Sequence, residues 1–403
     1  MQPFGVGVVG TGDIFDVYVA NLGRYPEIVR VVGCAARDAA KAHRKAAEHG
    51  LPRAWDTVDA LLADAGVDIV LDLATPDAHA GVNMAAVLAG KHVYSEKPLA
   101  ATFAESRELI DAAATAGLWV GCAPDTFLGG RIQTCRALID DGRLGEIVGA
   151  SAFVVSHGHE WHHSNPDFFY QPGGGPLLDI GPYYVTALLS LLGPVAAVAA
   201  MASRPFPSRT LETEPRRGAS IAVDVDTHVT GTLRFASGAI ATLIASFDVW
   251  DSELPRIEIY GTKGTICIPD PDPLDGPNLF GGPVLFRSAD QARWRGMPRP
   301  AALSEWTEIP VERPFTSVSH KDNSRGIGLV DMAYAIRAGG AGGAGGAGGG
   351  PRAERASGAM ALHSMEVMEG MLVSASEDRF VRMTTSFERP EPLPVDWPAG
   401  ERA

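Results

Sequence analysis

Phe4-Gly5-Val6-Gly7-Val8-Val9-Gly10-Thr11-Gly12-Asp13-Ile14-Phe15 is the stretch on which the fold turns. Small and β-branched residues alternate up to Val9, which predicts a buried strand; two glycines then break it, and a helix follows to about Leu22. Gly10 suits a tight turn, and Gly12 leaves the backbone open to a pyrophosphate at the start of that helix. Phe15 stands at the third position of the G-x-G-x-x-G/A fingerprint, where a small residue ordinarily lets helix and strand approach. Taken alone, such a fingerprint also describes an ordinary strand–helix turn.

The pattern that follows decides between them. Residues 28–36, 67–73, the run before Lys97 and 118–122 read as strands, with helices over 39–49, 58–62, 78–89 and 104–116. Strands alternating with helices of roughly 10–15 residues predict a doubly wound parallel sheet, an α/β nucleotide-binding domain of the Rossmann type over 1–124. At the end of the second strand, an acid would grip the ribose 2′-hydroxyl of NAD and an Arg would accommodate the 2′-phosphate of NADP. The chain reads Cys34-Ala35-Ala36-Arg37-Asp38 there. The expected cofactor is therefore NAD(P), with NADP favoured over NAD. Asp38 is left either to serve the ribose or to cap the next helix.

After Asp125 the rhythm changes. A helix over 134–140 gives way to β-type segments at 146–155, 195–202, 227–235, 239–249, 255–261 and 264–268. Ser237-Gly238 and Thr262-Lys263-Gly264 read as hairpin connections. Residues 125–403 are thus expected to form an α+β domain on a large, mostly antiparallel open sheet. Segments 270–283 and 289–303 are loop-like, and 339–350, made only of Gly and Ala, is a flexible loop between helical stretches 326–337 and 353–373.

Lys plus Arg number 34 against 48 Asp plus Glu, a net charge of −14, which argues against a nucleic-acid partner. Arg293, Arg295 and Arg299 are too diluted by proline to reverse that. No apolar run approaches the ~20 residues of a membrane span, and no charged region leads into a signal core. Cys34, Cys122, Cys135 and Cys267 show no C-x-x-C spacing and read as buried thiols of a reducing compartment. The expected location is the cytoplasm.

Ser95-Glu96-Lys97-Pro98 carries the chemistry. It follows the strand His92-Val93-Tyr94, and Pro98 keeps that strand from continuing, so one ammonium group stands at a carboxyl end, where such sheets bind ligands. Asp179 and Tyr183, four apart on a helix predicted over 177–192, share one face. That helix follows Gly173-Gly174-Gly175, which permits close backbone approach to a ligand. Hydride transfer from a secondary alcohol needs a proton acceptor at the oxygen, and an amine with a carboxylate–phenol pair supplies one. The plainer readings are a solvated lysine and a carboxylate favoured by a helix N-terminus.

Ser156-His157-Gly158-His159-Glu160-Trp161-His162-His163 holds four of the eleven histidines. His157 and His159, two apart, would share a strand face, and a metal is one reading. No helical metal spacing accompanies them, so hydrogen bonding or stacking with a substrate by His157, His159, Trp161 and His162 is preferred, with no metal. Phe168, Phe169 and Tyr170 add apolar faces, and Asp125, Trp250, Arg256 and Arg325 are weaker pocket candidates.

The chain resembles the glucose–fructose oxidoreductase/inositol dehydrogenase (Gfo/Idh/MocA) family. The matching signposts are Gly10-Thr11-Gly12, Ala74-Thr75-Pro76-x-x-His79, Ala89-Gly90-Lys91-His92-Val93-x-x-Glu96-Lys97-Pro98, Asp141-Gly142-x-x-Gly145 and Gly173-Gly174-Gly175-Pro176-Leu177-Leu178-Asp179-Ile180-Gly181. The resemblance implies a catalytic Lys97 with Asp179 as acidic partner and Tyr183 where the family usually carries histidine. Tyr183 is then either the acid/base or a hydrogen-bonding group that leaves the proton to Lys97. It also implies cofactor contacts at Gly10, Thr11, Gly12, Asp13, Ile14 and Arg37, and at Thr75, Pro76, His79, Glu96, Lys97 and Asp125. Lys97, Asp179 and Tyr183 would touch substrate as well.

The function so implied is an NAD(P)-dependent oxidoreductase acting on a secondary hydroxyl of a sugar, glycoside or cyclitol, assembled as a homodimer or homotetramer. Two alternatives stay open. One is glycoside cleavage by transient oxidation, elimination and re-reduction, as in NAD-dependent glycosidases; the other is a non-catalytic nucleotide-binding sensor.

Overall fold

A computed structural model describes residues 2–269, 279–292, 305–318, 323–339 and 354–398. Arg293, Arg295, Arg299 and most of the Gly/Ala run lie outside the described residues.

Six strands, β1 (Phe4–Val9), β2 (Val29–Ala35), β3 (Arg53–Trp55), β4 (Ile69–Asp72), β5 (His92–Ser95) and β6 (Val120–Cys122), pair in parallel in the order β3-β2-β1-β4-β5-β6. Helices α1 (Phe15–Leu22), α2 (Ala39–Glu48), α3 (Val58–Leu62), α4 (Pro76–Leu88) and α5 (Phe103–Ala116) connect them. Val6, Val8, Val70, Leu71 and Val93 are buried, as central strands covered on both faces require. The three-residue β3 escaped the sequence reading because so short a run shows no period. Asp38 caps α2, its Oδ1 accepting from Lys41 N at 3.0 Å, so the capping alternative is the one realised. Phe15 is fully buried and meets the His49 ring edge-on at 5.5 Å; the departure from the fingerprint is absorbed by packing.

The second sheet has nine strands in the order β16-β15-β14-β13-β7-β12-β11-β8-β17. They are β7 (Ile147–Val155), β8 (Val195–Ser203), β11 (His228–Phe235), β12 (Ile240–Ser246), β13 (Ile257–Gly261), β14 (Gly264–Ile268), β15 (Val284–Ser288), β16 (Thr307–Ile309) and β17 (Val381–Arg382). Only β7 and β12 run parallel within it. Both expected hairpins form, β11–β12 and β13–β14. A short ribbon of β9 (Ser208–Thr210) and β10 (Ser220–Ala222) stands apart.

Period-2 alternation sets the faces of this sheet. Val229, Leu233, Leu243, Ala245, Val154, Ile257 and Ile259 are buried, whereas Met201, Thr232, Ile240 and Tyr260 point outward and are exposed. The inner face is covered by α6 (Gly130–Asp140), α7 (Pro176–Asp179) and α8 (Gly181–Leu192). The single-turn α9 (Ala289–Ala292) follows β15, and α10 (Ile327–Arg337) and α11 (Gly358–Glu377) complete the chain's helices among the described residues. Every residue of α8 is buried, and each fully buried Leu contributes about 1.5–3 kcal/mol. Helix α11 packs on β8 and also on α5 and β6, and Cys122 N donates to Ala356 O at 3.0 Å. The end of the chain therefore ties the two sheets together.

The helix expected over 177–192 is not continuous: α7 ends at Asp179 and α8 starts at Gly181. Pro182 has no N–H to offer and its ring clashes with the carbonyl four residues back, so an unbroken helix cannot pass this point.

Candidate functional site

The order of the first sheet reverses between β1 and β4, and the crevice outside their carboxyl ends is where such sheets take ligands. Gly10 has φ +96°, and a Cβ there would strike the Leu73 carbonyl, so only glycine fits. Gly12 is exposed and a Cβ on it would meet nothing, which leaves an open approach at the N-terminus of α1. Asp13 and Thr75 are exposed beside it, Ile14 and Pro76 half-buried, and Thr11 buried. These residues fit a dinucleotide. Arg37 is exposed at the end of β2.

Lys97 stands just past β5. Its Nζ donates to Asp179 Oδ1 at 2.9 Å and to the Asp179 backbone carbonyl at 2.6 Å. That carbonyl is free for the purpose because of the helix break: Tyr183 N donates to Ile180 O instead, at 3.1 Å. The sequence suggested one helical face for Asp179 and Tyr183; they lie instead on either side of the break between α7 and α8. The triple glycine also serves the chain itself. A Cβ on Gly174 would collide with the carbonyls of Phe168 and Phe169, and Gly173 and Gly175 adopt positive φ.

The Lys97 and Asp179 side chains are 15% and 17% exposed. Burial alone would depress the ammonium, but the Asp179 carboxylate, with Tyr183 and Glu96 beyond it, raises its pKa above the ordinary lysine value. Burial likewise works against the Asp179 carboxylate, and Lys97 and His159 outweigh it, holding its pKa well below the usual range. Both groups are ionised at neutral pH.

Tyr183 is buried with its ring toward Lys97, whose Nζ lies 5.3 Å from the ring centroid. Its hydroxyl accepts from Arg325 Nη2 at 3.1 Å, while Arg325 Nη1 donates to Glu96 Oε1 at 2.9 Å. Tyr18 also donates to Glu96 Oε1, at 2.9 Å, and the Lys97 amide donates to Oε2 at 2.9 Å. Arg325 therefore belongs to the centre of the site, although the sequence ranked it low. Nothing local marks it: its partner Glu96 is 229 positions away.

Three residues expected at the cofactor have side chains with protein partners. His79 is buried, with Nδ1 at 2.8 Å from Asp72 Oδ2 and 3.3 Å from Ser95 Oγ. The buried Glu96 carboxylate is filled as described. Asp125 Oδ2 accepts from Gly326 N at 2.8 Å and Gly328 N at 3.0 Å, anchoring the start of α10 just after Arg325. Burial pushes its pKa up to about 6, against the pull of those two amides and Arg325. All three side chains are buried.

The histidine loop divides. Strand β7 ends at Val155, so His157 and His159, on either side of Gly158 at φ +76°, lie beyond it and do not share a strand face. His157 stacks on Trp250 and lies 3.4 Å from Arg209 Nη1. His159 turns the other way, its Nε2 3.0 Å from Asp179 Oδ2. His162 and Trp161 follow on the rim, ring centroids 4.3 Å apart, with Trp161 53% exposed. Burial, His159 and His163 lower the His162 pKa to about 4.

A buried cation that the sequence did not flag pins this loop. Arg209 pairs with Glu160 at 3.1 Å and with Asp248, and Tyr170 donates to Glu160. Trp250 is largely exposed, and Arg256 donates to the Tyr184 hydroxyl at 3.1 Å.

The parallel sheet with its glycine turn defines the class, an oxidoreductase with an NAD-binding Rossmann fold; the corresponding family model matches residues 4–123. The GFO/IDH/MocA C-terminal domain matches residues 132–267, and the chain belongs to the Gfo/Idh/MocA family of oxidoreductases. It is 30% identical over 268 residues to a 1,5-anhydro-D-fructose reductase of Ensifer adhaerens, covering 64% of this chain and 74% of that protein. A D-xylose dehydrogenase of Paenarthrobacter nicotinovorans is 27% identical over 299 residues, 68% of this chain and 74% of the relative. The crystallised levoglucosan dehydrogenase in complex with NADH and levoglucosan superposes with a TM-score of 0.76 at 21% identity, over 95% of this chain and all of the other, a likeness of fold.

Proposed function

We propose that this protein transfers a hydride between NAD(P) and a secondary hydroxyl or the corresponding ketone of a sugar, glycoside or cyclitol. The observation that carries the reading is the Lys97 ammonium, held by two oxygens of Asp179 at the rim of the dinucleotide crevice. Bound NAD(P) supplies the hydride acceptor or donor. Lys97 presents an N–H to the reacting oxygen and moves its proton; Asp179 keeps Lys97 ionised and aimed. Tyr183, with its oxygen taken by Arg325, has its O–H free to donate to a substrate hydroxyl. Trp161 and Phe168, both half-exposed, offer faces to sugar C–H groups.

Sugar reductases and dehydrogenases among the relatives support the substrate class. NADP is favoured over NAD, since Arg37 is exposed where the 2′-phosphate would sit and Asp38 is committed to Lys41 N. A homodimer or homotetramer through the outward face of the nine-stranded sheet, carrying Met201, Ile240 and Tyr260, fits the exposure of those residues, and the cytoplasm fits four buried free thiols. No helix among the described residues is long and apolar enough to cross a membrane.

The test is a panel of sugars, glycosides and cyclitols offered with both cofactors, read by reduced-nicotinamide absorbance together with product analysis. Net NAD(P)H change with a keto or hydroxy product supports the reading. Glycoside cleavage with catalytic cofactor and no net reduction selects the redox glycosidase instead. Cofactor binding with no turnover of any substrate leaves the sensor.

A further inference from the structure

A proton that Lys97 gives up must be replaced from water, yet Lys97 is itself enclosed and its Nζ is committed to Asp179. A second contact leads outward from the other oxygen of that carboxylate. Asp179 Oδ2 meets His159 Nε2 at 3.0 Å, and His159 Nδ1 lies 3.5 Å from His162 Nε2. The His159 ring has a set orientation, stacked on Phe169 at 4.0 Å and edge-on to Phe247 at 4.8 Å. His162 adjoins the half-exposed Trp161 and is neutral, with one donor and one acceptor nitrogen, so it can pass a proton in either direction. Tyr183 offers no such path: its ring, not its hydroxyl, faces Lys97, and its oxygen is taken by Arg325.

We propose that His159 is the relay that resets the proton on Lys97, an imidazole brought to Asp179 by the loop after β7. The proposal rests on the oxidoreductase reading above. In carbonyl reduction a Lys97 N–H bond breaks as the substrate O–H bond forms. As His159 Nδ1 takes a proton from water by way of His162, its Nε2–H bond breaks toward Asp179 Oδ2, and the neutral amine takes its proton from that carboxyl, so no imidazolate forms. Alcohol oxidation runs the same chain backwards, and only protons move along it. His159 acts through Asp179 and is in that sense a positioning and relay residue.

Two variants separate relay from simple support. His159→Gln keeps an N–H donor for Asp179 but cannot take up and release a proton near neutral pH; His159→Ala removes both. On a sugar that the wild type turns over, both should lower kcat by roughly 10–100-fold with KM little changed, and free imidazole should restore the Ala variant. A Gln variant at wild-type kcat overturns the proposal and leaves His159 an orienting group. A second measurement needs no substrate: with NAD(P)+ bound, the ring ¹⁵N resonances of His159 should move on Lys97→Met, because both groups press on one carboxylate. Unmoved resonances overturn the coupling whatever the sugar panel gives. Failure of the oxidoreductase reading looks different, as a wild type that turns over no sugar while its His159 resonances still respond to Lys97.

Discussion

Lys97 Nζ is gripped by Asp179 twice, through a side-chain oxygen at 2.9 Å and through the backbone carbonyl at 2.6 Å. The second grip exists because the helix breaks at Ile180 and leaves that carbonyl without its usual partner. Ammonium and carboxylate hold one another ionised at neutral pH. Lys97→Met should therefore lower kcat by ~10²–10⁴ at unchanged cofactor affinity, measured by steady-state kinetics and fluorescence titration. The Asp179 carboxyl, losing its cation, should titrate higher in the variant by NMR. Wild-type kcat in Lys97→Met would remove Lys97 from the chemistry.

Arg325 joins Tyr183 to Glu96, and all three are buried. Arg325→Met leaves the buried Glu96 carboxylate without its paired guanidinium, a loss of about 3–5 kcal/mol in denaturant unfolding. The double variant Arg325→Met/Glu96→Gln should regain part of that stability, since the uncompensated charge is gone, but not the activity, because Tyr183 is still unheld.

Asp125 has a folded-state pKa raised to about 6 from 3.8 by burial. Its protonated form is favoured on folding, so the stabilisation is complete below pH 3.8 and declines as pH rises through about 6. Asp125→Asn keeps an oxygen for the amides of Gly326 and Gly328 without that titration. The stability of the variant relative to wild type should improve by up to about 3 kcal/mol from pH 4 to pH 7, followed by thermal unfolding at each pH. A difference that is flat with pH would contradict this.

Arg37 is the group on which cofactor preference is expected to depend. Arg37→Ala should weaken NADP by about 10–100-fold in kcat/KM, the worth of a charge-assisted hydrogen bond to phosphate, with NAD little affected. Equal losses for both cofactors would place the 2′-phosphate elsewhere.

The first domain was legible because its rules are local. Gly10 and Gly12, the buried runs before them and the Ala-rich helices between strands each state their own conformation, and the parallel order follows from the alternation. The second sheet was legible in its long strands but not at its edges, where β16 and β17 have only three and two residues and take their pairing from neighbours. His157 and His159 were assigned one strand face from spacing alone; the strand ends at Val155, and in the loop beyond it they find different partners.

The order of residues along the chain was enough to settle the sheet type, the glycine turn, the amine at a strand end and the family to which these belong. Which groups meet was decided only in three dimensions. Arg325 found Tyr183 and Glu96, Asp125 found the start of α10, and His159 rather than His157 found Asp179. The reason is physical: backbone conformation answers to near neighbours, whereas a buried charge must be matched by whichever opposite charge or dipole the packing brings within about 3 Å, however distant in sequence.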